Sequence, residues 1–310
     1  MSNLTILLGT FQKPDLLRTS IESVLNQDYS DFELIVFDDN LGRDEHFSRR
    51  SSQVVKSFND ERVTYIRNDG NIGVPHVFRK WISFVKSKYF MIFCDGDVLL
   101  PKALEQMVSF LEKNPDCSMV HGREIKGSGD ISDALSGASS PLDPSLYLKS
   151  HLTGESDLLY SWTQPSAIFR TDLWNAWSIP VVHDHFWDFY FHCTYILYSK
   201  QIGYLNEVVC ERERSTLKYS EQVKNDFFLW AIERDYQALK FLNNFNFLLI
   251  RKGYAVNYIR FRISARLMRK SIKLGKKEQI GFSLYLGLVN LLRSVVEYCL
   301  FIARRLLFFI

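Results

Sequence analysis

The cysteines of this chain occur in no arrangement that would hold zinc or form a redox-active pair. There are five of them, an odd number, and no Cys-x-x-Cys sequence occurs. They stand at positions 94, 117, 193, 210 and 299. Widely spaced single thiols are typical of a reducing compartment. The N-terminus also lacks the basic region and cleavage site of a secretion signal, so we expect a cytoplasmic protein.

Two widespread nucleotide-binding loops are missing as well. The chain contains no Gly-x-Gly-x-x-Gly and no Gly-Lys-Ser/Thr sequence. This excludes a dinucleotide fingerprint and a P-loop. Any site for a phosphorylated ligand must therefore be built from other groups.

What the chain does contain is an apolar run that ends in two acids. Tyr89–Cys94 leads directly into Asp95-Gly-Asp97. A run of this length, bounded by Gly and Pro, predicts a strand buried on both faces. Residues i and i+2 of an extended segment point the same way, so both carboxylates can face one hard cation, Mg²⁺ or Mn²⁺, that also binds a diphosphate. The alternative is a solvated turn, in which Asp and Gly are common.

Strand-like and helical segments alternate over residues 1–101. Strands are predicted at Leu4–Leu8, Glu33–Phe37, Val63–Ile66 and Tyr89–Cys94, with helical patterns between them. We predict an α/β fold with a mostly parallel, doubly wound sheet flanked by helices. Such sheets bind ligands beyond the carboxyl ends of their strands. The residues after these ends are polar: Thr10, Asp38, Asp39, Asn68, Asn71, Asp95 and Asp97.

Four motifs resemble those of the inverting glycosyltransferases of family 2, which have the GT-A fold. They are TFQKPDLLRTSIESVLNQDY (10–29), FELIVFDDN (32–40), NIGV (71–74) and CDGDVLLP (94–101). The resemblance reaches to about residue 215. It implies metal-dependent transfer of a sugar from a nucleotide-sugar to an acceptor hydroxyl, with inversion, in bacterial cell-surface polysaccharide or lipid-linked glycan synthesis. A nucleotide-sugar-binding protein without turnover is the alternative.

The resemblance also assigns roles to residues around the donor. Thr10, Phe11 and Asp39 correspond to the group that holds the nucleotide base, and Asn71 to a segment near the sugar-nucleotide. The metal motif corresponds to Asp95, towards the ribose and the metal, and to Asp97, bound most directly to Mn²⁺ or Mg²⁺. For Asn71, ordinary turn chemistry is the alternative.

The resemblance places the general base well downstream, before a helix and a short strand. Counting back from a strand predicted at Ile202–Leu205 makes Asp188 the first candidate, and Asp184 is the second. A helix cap is the alternative role for either acid. Nearby His183, His185 and His192 do not have metal-site spacing and are expected to line a pocket or lie in the core.

Further along the chain, one position differs from the pattern of the family that the motifs resemble. Where many members carry Arg-x-His, this chain has Arg212 and then Arg214. An arginine cannot ligate a cation, so we expect no third protein ligand from position 214, although its guanidinium can pair with a diphosphate oxygen.

The C-terminal residues differ in charge from the rest. Residues 251–310 hold 13 Lys/Arg against 2 acids, within a chain of net charge +3. We predict a catalytic domain at 1–222, with a nucleotide-binding half at 1–101 and an acceptor half at 102–222, followed by a helical, basic, amphipathic region at 223–310. Residues 260–310 suit peripheral contact with anionic lipid at the inner face of the cell membrane.

The alternative for this amphipathic region is packing on the catalytic domain or on a second subunit, which would give a homo-oligomer. Arg293 and Glu297 interrupt the apolar stretch, which argues against a spanning helix. Nucleic acid is not an expected partner, because no nucleic-acid-binding motif accompanies the basic residues.

Overall fold

The structure is a computed structural model. It describes residues 2–39, 45–68, 80–125, 129–131, 138–153, 166–174 and 187–213, together with positions 238, 241, 242, 256, 259, 263, 289 and 292. By its internal contacts the chain divides into two compact units. One comprises residues 1–147 and 156–216, and the other comprises residues 148–155 and 217–310.

The first half of the sheet is parallel. Its strands are β1 (Leu4–Thr10), β2 (Phe32–Asp38), β3 (Val63–Arg67) and β4 (Tyr89–Cys94), in the spatial order β3-β2-β1-β4. The strands β1, β2 and β4 are apolar runs buried almost throughout, as expected for strands covered on both faces. The four strands predicted from the sequence are confirmed: the bounds of β4 are as predicted, and those of the other three differ by at most two residues.

Two helices follow the first two strands. The helix α1 (Pro14–Leu25) begins at a proline, whose missing N–H costs nothing in the first turn. It buries Leu17, Ile21 and Val24 on one face against the sheet. The helix α2 is Glu45–Phe58. The helix predicted from Val77 to Val85 lies partly outside the described residues.

The second half of the sheet is mixed. Its strands are β5 (Val98–Leu99), β6 (Cys117–Ile125), β7 (Ser140–Leu142), β8 (Ala167–Arg170) and β9 (Gln201–Glu211). The nine strands form one sheet in the order β3-β2-β1-β4-β8-β6-β9-β5, and β7 pairs with β9. Contacts of β8 with β4 and β6 are antiparallel, whereas β6 and β9 run parallel. The long strand β9 therefore ends close to β5, directly after the two acids.

Four further helices are described with these strands. They are α3 (Ala103–Lys113), α4 (Pro144–Thr153), α5 (Thr171–Trp174) and α6 (Trp187–Tyr198). The helix α3 buries Leu104, Met107, Val108 and Leu111, the spacing of an amphipathic helix. His192 of α6 is buried, in line with the core position that the sequence allowed for it.

Only single positions of the C-terminal region are described. Val256, Ile259 and Ile263 are buried, at a spacing that puts them on one helical face. Leu292, in contrast, is helical and 63% exposed. Among the described residues, no helix is long and apolar enough to cross a membrane.

Candidate active site

Polar side chains meet at the carboxyl edge of the parallel strands. Thr10 is in register with Asp38 across β1 and β2, and Gly9 is in register with Cys94 across β1 and β4. The segments that follow β1, β2 and β4 therefore emerge side by side. The carboxyl edge of these strands is where an open α/β sheet binds its ligands.

Asp95 is held by the loop that follows β1. Its Oδ2 accepts a hydrogen bond from the Thr10 hydroxyl and another from the Phe11 backbone N–H, both at 2.9 Å. The Asp95 backbone N–H in turn donates to the carbonyl of Gly9 at 3.1 Å. Three residues predicted to bind the donor are thus in direct contact, and Phe11 remains 37% exposed.

Asp97 lies deeper, at 6% exposure, and contacts the end of the second half of the sheet. Its Oδ1 accepts a hydrogen bond of 3.0 Å from the backbone N–H of Glu213, two residues beyond β9. This contact joins positions that are 116 residues apart in the chain. The position of Asp97 therefore depends on the pairing of β9 with β5 and β6.

Burial raises the pKa of both acids to about 6. For Asp95 the hydrogen bonds from Phe11 and Thr10 act against burial but do not cancel it. For Asp97 the hydrogen bond from Glu213 and the positive charge of Arg212 act in the same lowering direction. Burial thus disfavours the charged form of both carboxylates, a penalty that a bound cation would offset.

The pair fits a hard divalent cation. The hydrogen bonds described above fall on Oδ2 of Asp95 and on Oδ1 of Asp97, and each carboxylate has a second oxygen with ligand capacity. Within the described ranges, no group of three or more His, Cys, Asp or Glu is arranged to hold a metal. Two carboxylates supply only part of the ligands of a divalent cation, and Mg²⁺ commonly completes its shell with substrate phosphates and water.

Gly96, between the two acids, has a conformation that other residues rarely adopt. Its φ is +99°, and a Cβ atom there would lie 2.9 Å from Cγ of Glu213. Backbone preference and packing both require glycine at this position. The turn that separates the two carboxylates is thus fixed by the sequence itself.

Polar side chains on α1 and two residues beyond its end hold the segment that carries the acids. Ser20 Oγ accepts from the Gly96 N–H and donates to the Asp97 carbonyl, both at 2.8 Å. Ser23 Oγ accepts from the Leu99 N–H at 3.1 Å, and the Gln27 amide donates to the Leu100 carbonyl at 2.9 Å. This role was not predicted from the sequence. The available signal was polar residues at helical spacing beside Leu17, Ile21 and Val24.

Lys13 and Glu213 form a salt bridge, with their side chains 42% and 25% exposed. Burial lowers the pKa of Lys13, but the hydrogen bond to Glu213 and the charge of Asp95 outweigh it, so the net shift is upward. Lys13 therefore stays positively charged near Asp95. Neither residue was singled out from the sequence.

Asp38 and Asp39 have different surroundings despite their adjacency. Asp38 is fully buried, and its Oδ2 accepts from the hydroxyls of Ser48 and Tyr65. These partners belong to α2 and β3, so Asp38 joins elements of the sheet. Asp39 is half-buried at the edge, and its Oδ1 accepts from the Asn68 amide at 2.9 Å.

Other predicted site residues lie outside the described part of the chain. They are Asn71, Asp184 and Arg214. The helix that carries Asp188 begins at Trp187 and precedes β9, the order expected for the general base. The side chain of Asp188 is itself outside the described residues.

Two solved structures share this architecture. S. aureus TarS 1–349 in complex with UDP matches with a TM-score of 0.58 and 14% identity, covering 96% of this chain and 91% of that chain. The mannosyltransferase PcManGT from Pyrobaculum calidifontis, in complex with GDP-Man and Mn²⁺, matches with a TM-score of 0.52 and 13% identity, over 96% and 86%. At these identities the likeness concerns the fold. The fold is that of the GT-A glycosyltransferases, as predicted.

Family membership follows from the sequence comparison. The family profile described as Glycosyl transferase family 2 matches residues 5–189, more than half of the chain. The chain therefore belongs to glycosyl transferase family 2, which confirms the family predicted from the motifs. One relative is the GalNAc(5)-diNAcBac-PP-undecaprenol beta-1,3-glucosyltransferase of Campylobacter jejuni, 27% identical over 164 residues. The match covers 49% of this chain and 48% of that relative, about half of its length.

Proposed function

We propose that this chain transfers a sugar from a nucleotide-sugar to the hydroxyl of a lipid-linked glycan, with inversion and with a divalent metal, in bacterial cell-surface polysaccharide or lipid-linked glycan synthesis. The observation that carries the proposal is the pair of buried acids, Asp95 and Asp97, at the carboxyl edge of a GT-A sheet. Burial raises the pKa of both acids, and a bound cation would stabilise their charged forms.

Asp95 and Asp97 would hold the metal. When bound, Mn²⁺ or Mg²⁺ supplies positive charge to the departing nucleoside diphosphate. Lys13, charged and beside Asp95, adds a second positive group near the diphosphate. Ser20 and Ser23 keep the two carboxylates in place through the backbone of the intervening turn.

Thr10, Phe11 and Asp39 would bind the nucleotide base, with Asn71 near the sugar-nucleotide. Two observations support this assignment. Phe11 offers an exposed ring at the edge where Asp95 is anchored, and Asp39 follows the adjacent strand. A carboxylate accepts hydrogen bonds from base N–H groups, and an aromatic ring can stack on a base.

The acceptor hydroxyl must lose its proton as its oxygen attacks the anomeric carbon. We assign the removal of this proton to Asp188, with Asp184 as the second candidate for the general base. Support comes from the chain order, since Asp188 stands in the first turn of α6 and β9 follows that helix. The chain that leaves β9 contacts Asp97 through Glu213, so the helix that carries Asp188 is followed directly by a strand that leads to the metal site.

The lipid-linked acceptor is supported by the Campylobacter jejuni relative, whose name specifies an undecaprenol-linked substrate. The excess of Lys and Arg in residues 251–310 suits an anionic membrane surface. We accordingly propose that catalysis resides in residues 1–222 and that residues 223–310 bring the enzyme to the inner face of the membrane.

A panel of nucleotide-sugars with and without Mn²⁺ tests the proposal. A ligand that binds the folded state raises the melting temperature, so the donor is the nucleotide-sugar with a Mn²⁺-dependent shift. Transfer is then assayed from that donor to an undecaprenyl-diphosphate-linked sugar. The absence of any Mn²⁺-dependent shift with a folded protein would refute a metal-dependent donor site.

A further inference from the structure

Glu213 lies against the turn that carries the two acids. Its backbone N–H donates to Oδ1 of Asp97 at 3.0 Å. Its Cβ, Cγ and Cδ atoms lie 2.9 to 3.1 Å from the position that a Cβ atom of Gly96 would occupy. Its carboxylate forms the salt bridge with Lys13, the residue directly before α1. The salt bridge therefore joins the segment after β9 to the loop after β1, next to the proposed metal site.

Glu213 adds a third negative charge close to Asp95 and Asp97. Burial raises the pKa of both acids, and the charge of Glu213 raises each of them further. A diphosphate that shares a cation with Asp95 and Asp97 must come near this third carboxylate. Since like charges repel each other at short range, Glu213 opposes the approach of the diphosphate unless a positive group stands between them.

Lys13 is suited to be that positive group. An ammonium has three N–H donors, and in the part of the chain that the structure describes only Glu213 accepts one of them. The salt bridge is partly exposed, and ion pairs of this kind contribute little and exchange partners readily. The backbone of Lys13 is fixed, because its carbonyl accepts the Leu17 N–H at 2.9 Å. The flexible stem of the side chain leaves the ammonium free to turn to another acceptor.

We infer that Lys13 has two alternative partners, Glu213 and the diphosphate of a metal-bound nucleotide-sugar, and that donor binding moves its ammonium from the first to the second. This role rests on the proposed function, in which Asp95 and Asp97 hold the metal. It makes Lys13 a binding residue for the departing diphosphate and Glu213 a positioning residue that holds Lys13 in reserve.

Two electrostatic effects favour the change of partner. The cation takes over the compensation of Asp95 and repels the ammonium, since both carry positive charge. The diphosphate carries more negative charge than a single carboxylate, so it attracts the ammonium more strongly than Glu213 does. Both effects require the metal and the diphosphate together, which couples the move of Lys13 to the complete donor.

The test measures two affinities of the full-length protein by calorimetry. One is for Mn²⁺ alone, and the other is for UDP, GDP, dTDP and ADP at saturating Mn²⁺, of which the tightest binder is followed. Lys13→Met should bind Mn²⁺ about two- to fivefold more tightly, because a positive charge near Asp95 is removed. It should bind the diphosphate about tenfold more weakly, because a charge-assisted hydrogen bond is lost. A general loss of structure would weaken both.

The double variant tests the exchange itself. Glu213→Gln should weaken binding of Mn²⁺ alone about two- to fivefold, because a negative charge beside the acids is lost. In this background Lys13 no longer has to leave a carboxylate. Lys13→Met should therefore reduce diphosphate affinity about two- to fivefold more than it does in the wild type, a non-additive result that two independent charges do not give.

Two further variants are the controls. Lys13→Arg keeps the charge and should hold both affinities within about twofold of the wild type. Lys56→Met removes an exposed lysine of α2 and should change neither affinity. If Lys13→Met does not fold, Lys13→Gln takes its place, since it keeps a polar side chain.

The outcomes separate this role from the proposed function. Unchanged or weaker binding of Mn²⁺ by Lys13→Met, or an unchanged diphosphate affinity, overturns the role of Lys13 and leaves the nucleotide site in place. Additive effects of Lys13→Met and Glu213→Gln overturn the change of partner. A folded wild-type protein that binds none of the four nucleoside diphosphates with Mn²⁺ refutes the proposed function itself.

Discussion

At Asp97, the stability of the fold and the binding of a metal make opposite demands on the same side chain. Its carboxylate is 6% exposed and has a pKa raised to about 6 by burial, so its negative charge destabilises the metal-free protein at neutral pH. We expect Asp97→Asn to melt at a higher temperature than the wild type without metal. The amide keeps an oxygen for the Glu213 N–H.

The same substitution should abolish the Mn²⁺-dependent rise in melting temperature and reduce transfer about 10²- to 10³-fold, since electrostatic stabilisation of this kind contributes on that scale. Glu105→Gln, at an exposed position of α3, is the control. A variant that loses neither the Mn²⁺ response nor transfer would remove Asp97 from the metal site.

The pH dependence of metal binding tests both acids. Their pKa values are raised from 3.8 to about 6 in the folded protein. The folded state therefore retains protons that the unfolded state loses between about pH 4 and 6, and the stability of the metal-free protein should fall as the pH rises through this range. Mn²⁺ competes with these protons, so its affinity should rise up to about pH 6 and level off above it. Calorimetric titrations from pH 5 to 8 check this, and a constant affinity would contradict it.

Single substitutions distinguish the roles of Asp188 and Asp184 as candidates for the general base. Asp188→Asn should reduce transfer about 10²- to 10⁴-fold, the usual contribution of a general base, while donor binding stays unchanged. Asp184→Asn should have a much smaller effect. Transfer rates and donor affinities are measured for both variants. If neither change slows transfer, the base is another residue.

At the scale of elements, α1 connects the core to the site. One side of it packs Leu17, Ile21 and Val24 into the core, and the polar row beside them bonds the backbone that follows β4. Because α1 contacts both the core and this backbone, a shift in the core would move the two acids. In the same way, the contact between Glu213 and Asp97 would pass a shift of β9 to Asp97.

Ser20→Ala tests this connection. It leaves the Gly96 N–H and the Asp97 carbonyl without the serine hydroxyl, which should cost about 1–3 kcal/mol in the free energy of unfolding. Mn²⁺ affinity should fall as well, because the turn between the acids loses its support. Chemical denaturation and calorimetry measure the two effects. Thr19→Ala, on the exposed side of α1, should change neither, and an equal effect there would argue against the polar row.

At the scale of the whole molecule, charge is unevenly distributed along the chain: the C-terminal region is basic, whereas acidic residues outnumber basic ones in the rest. We expect the full-length protein to float with vesicles that contain anionic lipid and not with neutral phosphatidylcholine vesicles. Replacing Arg269, Lys273, Lys276 and Lys277 by Gln should weaken the association strongly, since each basic residue near such a surface contributes about 1 kcal/mol. Equal flotation of both proteins would exclude these four charges as the membrane contact.

Several features of this protein were determined by local sequence. The apolar runs of β1, β2 and β4 are long, bounded by turn residues and buried on both faces, so the strands were predicted to within two residues. The carboxyl ends of parallel strands share one edge, and this rule alone predicts that Thr10, Asp39 and Asp95 lie together. Gly96 belongs to the same group, because its conformation is a property of its own backbone.

Other features were decided only by the tertiary structure. The periodicity of a sequence carries information only about residues that are close together in the chain. Glu213, in contrast, contacts Asp97 from 116 positions away. This contact depends on the pairing of β9 with β5, which no local sequence pattern specifies. The direction of a side-chain hydrogen bond is equally invisible in sequence. Asn68 was expected at this edge, but its coupling to Lys80 and Asp39 depends on three segments packing together. Burial, which raises the pKa of the two acids, is likewise a property of the folded chain alone.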